Sequence, residues 1–208
     1  MSLIENLLPG DGIVYADFHW FVLDVDRENG QAFVISKEPI LKSICFDVNG
    51  GNDFSKSSLY EFINNVLIDS IKSRAEHPKL FSSSCPMFEK DGIKYYVLDG
   101  NNRLESYNMN LKTYNKSKGY GTHKTTLGLL TYDEYAKYIY FIDKIIEKDE
   151  NYNSFWLATA LTSNSQIIDR AAQIIKMDGK YSNFTIPFRN VKEHAALRVT
   201  AVLNISGN

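Results

Sequence analysis

Cysteine is nearly absent from this chain of 208 residues, which carries only Cys45 and Cys85. Two thiols cannot build a disulfide framework, and neither lies in a Cys-x-x-Cys pair or at metal spacing from a histidine. A stapled mini-domain and a zinc site are thereby excluded, and both cysteines are expected as reduced, partly buried thiols. No apolar window approaches the length of a membrane-spanning helix. The opening "MSLIENLLPGDG" lacks the basic flank and long apolar core of a secretory signal. An excess of one charge is missing too: 23 Lys and Arg face 25 Asp and Glu, for a net charge of −2. That balance leaves no electrostatic footprint for nucleic acid. Four histidines (His19, His77, His123, His194) are scattered without a neighbour at ligand spacing. No Gly-x-Ser-x-Gly, no Cys–His pair and no acid–base carboxylate pair is present. The residues therefore indicate no catalysis, no cofactor and no metal.

Aromatic residues are what the chain has in quantity: 13 Tyr, 12 Phe and 2 Trp, or 13%. Such content suits a β-rich core or a tyrosine-rich contact surface. "GIVYADF", "WFVLDVD" and "QAFVIS" read as strands near the start. Asn29-Gly30 between the last two, both tolerant of positive φ, predicts an antiparallel pair of Trp20–Asp26 with Gln31–Ser36. A helix is predicted over "SSLYEFINNVLIDSIKS", with Ser58 and Glu61 as a capping box and Leu59, Phe62, Ile63, Val66 and Leu67 on one face. A second begins at Thr131, boxed by Glu134, with a stripe at Tyr135, Ile139, Ile142 and Ile146. Between them, roughly residues 76–125, lies a long variable segment with one strand-like run at Ile93–Leu98. The pattern then returns to β in "FWLATA", in "AAQIIKMDGKYSNFTIPF" with a hairpin expected at Asp178-Gly179, and in the closing "ALRVTAVLNIS". No repeat and no linker interrupts the chain, so residues 1–208 are read as a single α+β domain.

The order of these pieces resembles a family of bacterial and phage proteins catalogued as domain of unknown function 6273. The correspondence runs through "WFVLDVDRENGQAFVISK", "SSLYEFINN", "HKTTLGLLTYDEYAKY", "FWLATA" and "ALRVTAVLNI", from about Gly10 to Ile205. Where the family has Arg-Ser-Pro this chain has Ala158-Thr159-Ala160, and where it has Arg-Pro this chain has Arg198-Val199. The resemblance implies a C-type-lectin-like fold: an antiparallel sheet with paired N- and C-terminal strands, two flanking helices and long loops that bind. It brings no catalytic residues.

"VLDGNNRLES" resembles the signature of the ParB and sulfiredoxin-like superfamily, in which Asp-Gly ends a strand and an Arg meets phosphate at a helix N-terminus. Asp99 and Arg103 would then bind phosphate, although the Asn- and Gly-rich residues that follow make a poor helix. "DVNGGNDF" (Asp47–Phe54) offers oxygens to calcium, but a turn uses the same residues to bond its own backbone, and the turn is expected. The segment Tyr107–His123 has tyrosines spaced through Asn, Ser and Gly, as a paratope does. Tyr107, Tyr114, Asn115 and Tyr120 are the binding candidates, expected at the rim of the fold.

These readings predict a non-catalytic recognition or assembly module. It would be a phage virion-associated or bacterial surface protein, found in the virion or, before assembly, in the host cytoplasm. Its partner would be a protein or surface glycan, other virion subunits or a second copy, and neither membrane nor nucleic acid. Two alternatives stand beside it: a ParB-like nucleotide- or nucleic-acid-binding enzyme, and a phage-encoded inhibitor of a host protein.

Overall fold

The computed structural model describes residues 3–77, 87–98, 101–113, 119–147, 154–161, 170–175 and 188–205. A short helix α1 (Leu3–Asn6) leads into strands β1 (Gly12–Tyr15), β2 (Phe18–Asp26), β3 (Gln31–Ser36) and β4 (Leu41–Cys45). Next come α2 (Ser58–Glu61), a π turn (Phe62–Leu67) and α3 (Ile68–Glu76). Strands β5 (Met87–Lys90), β6 (Ile93–Val97), β7 (Arg103–Glu105), β8 (Tyr107–Lys112), β9 (Gly119–Thr125) and β10 (Leu127–Gly128) precede helix α4 (Tyr132–Glu147). The chain closes with β11 (Ser154–Leu161), β12 (Arg170–Ile175), β13 (Phe188–Asn190), β14 (His194–Leu197) and β15 (Thr200–Asn204).

The fold is α+β with mostly antiparallel pairing. The main sheet runs β10-β15-β3-β2-β1-β6-β5, with β7 also paired to β15, and a second sheet runs β13-β12-β11-β14-β4. Two junctions depart from the expected antiparallel sheet, because β1 lies parallel to β6 and β11 meets β14 in parallel. The main sheet is covered on both faces. Ile13, Trp20, Val22 and Val34 pack toward Leu59, Ile63 and Ile71 of the helical segment after β4. Val14, Phe21, Leu23 and Ile35 pack toward Tyr135, Tyr138, Ile142 and Ile145 of α4. Each large side chain so buried contributes about 2–3 kcal/mol through the hydrophobic effect.

The β2–β3 hairpin forms in the expected register, with Asp26 opposite Gln31. Its turn is four residues long, and only Gly30 takes positive φ, because Asp26 accepts the Asn29 N–H. "GIVYADF" is not one strand. It breaks at Ala16 and Asp17, both at positive φ, into a tight turn that joins Tyr15 to Phe18. Trp20 steadies that turn by donating its indole N–H to the Tyr15 carbonyl at 3.2 Å.

The first helix is capped one residue earlier than expected: Ser57, not Ser58, accepts the Tyr60 N–H, while Ser58 Oγ accepts from Val48. The π turn then adds a residue to one repeat, which rotates Val66 out to 60% exposure and brings Ile68 and Ile71 onto the buried face. At α4 the expected box is present. Glu134 Oε2 accepts from Thr131 N at 2.7 Å, and the Glu134 N–H bonds Thr131 Oγ1 at 3.2 Å. Tyr138 replaces the exposed Ile139 in its stripe, and the Ile146 side chain lies outside the described residues.

Among the described residues, 76–125 hold five strands, not one. "YNMNLKT" alternates with period two, burying Met109, Leu111 and Thr113 and exposing Asn108, Asn110 and Lys112. Strands β7 and β10 lie end to end along β15, so the β8–β9 hairpin is an excursion from that edge. The closing run likewise splits. β14 joins the second sheet and β15 pairs with β3 in the main sheet, bringing the C-terminal strand beside an N-terminal one. Arg198 sits at the crossing, 3% exposed, and donates to the carbonyls of Ser36 and Lys37. Strands β12 and β13 pair antiparallel, while Asp178-Gly179 and Cys85 lie outside the described residues.

Candidate functional site

A groove of about 590 Å³ opens on the α4 side of the main sheet. Four elements build it: the β2–β3 hairpin end, β15, the start of β8 and the first two turns of α4. Its aromatic wall is Phe33 between two tyrosines, with ring centroids 5.8 Å from Tyr107 and 5.9 Å from Tyr138. Carboxylates of Asp24, Asp26, Glu28 and Glu134 line the rest, with Arg27 as the one lining cation among the described residues.

A bulge in β2 delivers Asp24 to this face. Register shifts between Val22 and Asp24, so Asp24 sits opposite Phe33 and turns toward α4 instead of away from it. Its Oδ2 then accepts from Lys137 Nζ at 2.8 Å and from Tyr138 Oη at 2.7 Å. Burial alone would raise the Asp24 carboxyl, but the bonds from Lys137 and Tyr138 outweigh it and hold the group below the usual range. Lys137 is pushed up by the same contacts, and its ammonium lies 4.5 Å from the Tyr138 ring centroid.

Glu134 is placed differently. Both Oε2 bonds go to Thr131, while Oε1 keeps access to the groove and the Lys137 charge acts on the carboxylate without a contact ion pair. Burial raises it above the ordinary glutamate value despite the Thr131 bonds. Two carboxylates on one groove are thus pushed in opposite directions, Asp24 down by its bonds and Glu134 up by burial.

Of the binding candidates, Tyr107 is brought to the groove, but as wall and not as free rim. Its hydroxyl bonds Thr200 Oγ1 at 2.8 Å, burial pushes it up, and a Cβ at Gly128 would collide with its oxygen and with Met109 Sδ. Tyr120 is elsewhere, donating to Asn52 Oδ1 at 2.5 Å. Both tyrosines are partly buried against the fold, Tyr107 on β8 and Tyr120 on the paired strand β9, because this hairpin turns an apolar face of its own to the core. Tyr114, Asn115 and Asp99 lie outside the described residues. Arg103 opens a strand, not a helix, and its exposed guanidinium pairs with Glu105 at 2.8 Å. Asp47 serves its own turn: its carboxylate accepts from Gly51 N at 2.6 Å and Ser58 N at 2.9 Å.

Sequence reading missed Asp24, Phe33, Glu134 and Tyr138 as site residues. A signal existed for three of them: Asp24 closes the apolar run of β2, and the capping Glu134 is followed four residues on by Tyr138 on the same helix face.

No family model, curated protein or solved structure matches the chain. Among the described residues no helix is long and apolar enough to cross a membrane.

Proposed function

We propose that the chain is a non-catalytic recognition or assembly module that holds a protein partner in the groove between α4 and the β2–β3 hairpin. The observation that carries this is the groove itself, because three clustered aromatic rings and four carboxylates line one open cavity of about 590 Å³. Concave sites with an apolar wall and a few polar groups are where ligands bind. Tyrosine at such a wall offers contact area at low entropic cost. The pairing of β15 with β3 and the helices on both faces support a C-type-lectin-like arrangement, in which a scaffold of paired terminal strands presents the binding surface. A virion-associated or bacterial surface setting fits that role.

A photo-crosslinking amino acid tests this reading when placed at Gln31 inside the groove and, separately, at Lys56 on an exposed turn. In the cells that make the protein, the Gln31 variant is expected to form one discrete adduct that the Lys56 variant lacks. Adducts of equal yield at both positions, or none at Gln31, overturn it.

A further inference from the structure

We propose that the groove recognises a guanidinium, presented as an arginine side chain of the partner protein. The inference rests on the reading of the groove as a recognition site and names what enters it. Charge complementarity comes first. Four carboxylates line the cavity; Asp24 is paired with Lys137 and Asp26 accepts from Asn29. The one lining cation among the described residues, Arg27, is committed, its Nη2 donating to the Leu7 carbonyl at 3.0 Å. The lining thus leaves Glu134 and Glu28 to face an entering cation. The second observation is that the groove rim already holds a cation in the proposed way. Lys137 bridges a carboxylate and a tyrosine, 2.8 Å from Asp24 and 4.5 Å from the Tyr138 ring centroid. Deeper in, Glu134 repeats the acidic half of that pair beside the Phe33 and Tyr107 rings, with no cation bonded among the described residues.

A planar guanidinium suits this second position better than an ammonium. It stacks on aromatic faces, gives up its hydration more readily, and offers a fork of donors to a carboxylate. Glu134 Oε1 is the acceptor left for one of these donors, since Oε2 is taken by Thr131 N and Oγ1 at 2.7 and 2.9 Å, and the rings offer the stacking face. An arriving cation would favour the ionised carboxylate against the burial that raises it, so binding and ionisation of Glu134 are linked. The cavity exceeds the needs of a single side chain, which leaves room for the flanking residues of a peptide.

The test is an NMR titration of the full chain with N-acetyl-arginine amide. The neutral isostere N-acetyl-citrulline amide and the ammonium analogue N-acetyl-lysine amide serve as comparisons. The arginine probe is expected to move the ring resonances of Phe33 and Tyr138 with millimolar affinity, at least fivefold tighter than either comparison. Glu134→Gln keeps the capping box, because glutamine serves at that position, and is expected to weaken the arginine probe about tenfold. Glu28→Lys, on the exposed turn, is a second variant that leaves the core untouched and is expected to weaken it several-fold. Three results overturn the inference: no ring shifts in the parent, equal binding of citrulline or lysine amide, or full affinity in both variants. A groove that crosslinks a partner at Gln31 yet ignores the arginine probe overturns the guanidinium assignment alone. Failure of the crosslink removes the recognition reading beneath it.

Discussion

Two sets of buried and half-buried polar groups lie within this fold, and they differ in whether their bonds close. Asn52, Asn64 and Arg198 spend their hydrogen-bonding groups on the protein. Asn52 Nδ2 donates to the Leu161 and Arg170 carbonyls at 3.0 and 3.3 Å, and its Oδ1 accepts from Tyr120. Asn64 ties the π turn to β9 and β10 through Thr125 and Leu127. Arg198 clamps the crossing between the sheets. The groove behaves otherwise, since Glu134 is partly buried and its Oε1 accepts from no described residue and stays accessible from the groove. A closed polar network fixes a unique arrangement, whereas a partly open one costs stability unless something else completes it. The first set therefore reads as architecture and the second as a place for a ligand.

Breaking the closed set should cost most. Arg198→Met is expected to lower stability by about 3 kcal/mol, because two buried carbonyls lose a charged donor. Urea unfolding measures it, and a loss below about 1 kcal/mol would mean the crossing is held by packing instead. Asn52→Ala should follow at about 2 kcal/mol, leaving two carbonyls and the Tyr120 hydroxyl without their partner. Hydrogen exchange in β8 and β9 should rise in that variant before it rises in β2 and β3.

Asp47→Asn gives a smaller, pH-dependent effect. Burial raises this carboxyl, but the N–H groups of Ser58, Gly51 and Asn49 outweigh it and hold it below the usual range. A lowered folded-state value gives stability that is present above the unfolded value, roughly pH 4, and lost as pH falls through the folded value. The variant should lose about 1 kcal/mol at neutral pH and show a flatter acid limb. Glu134→Gln reverses that sign. Its carboxyl is raised by burial, so its contribution is present below roughly pH 4 and declines as pH rises through the folded value. Thermal melts should show the variant gaining on the parent as pH rises from 4 to 7, by less than about 1 kcal/mol.

The elements that sequence made legible are those where local signals agree. Thr131 and Glu134 cap α4 as their spacing predicts, and Asn29-Gly30 turns a hairpin in register. The failures are equally local in cause. Ala16 and Asp17 adopt positive φ in a turn that propensity assigns to Asn and Gly, and the surrounding sheet imposes it. "YNMNLKT" has a strand's alternation, but its asparagines and lysine resembled a loop. The π turn shifted a helical stripe that a 3.6-residue period could not place. Of the groove's lining only Tyr107 coincides with a residue singled out from the sequence, because the groove is assembled from the β2–β3 hairpin, β8, α4 and β15, which are spread along the chain. Asp24 reaches it through a bulge that no spacing announces.

The most direct test of the account is the ionisation of Glu134, followed by carbon-13 NMR of its side-chain carboxyl across pH, with and without N-acetyl-arginine amide. In the free protein this carboxyl should titrate above the ordinary glutamate value of about 4.3. With the probe bound, the midpoint should fall by about one pH unit, the linkage that corresponds to tenfold tighter binding to the ionised form. A Glu134 that titrates at the ordinary value, or whose midpoint is unmoved by saturating probe, would contradict the claim that burial in the groove raises this carboxyl and that a bound cation lowers it.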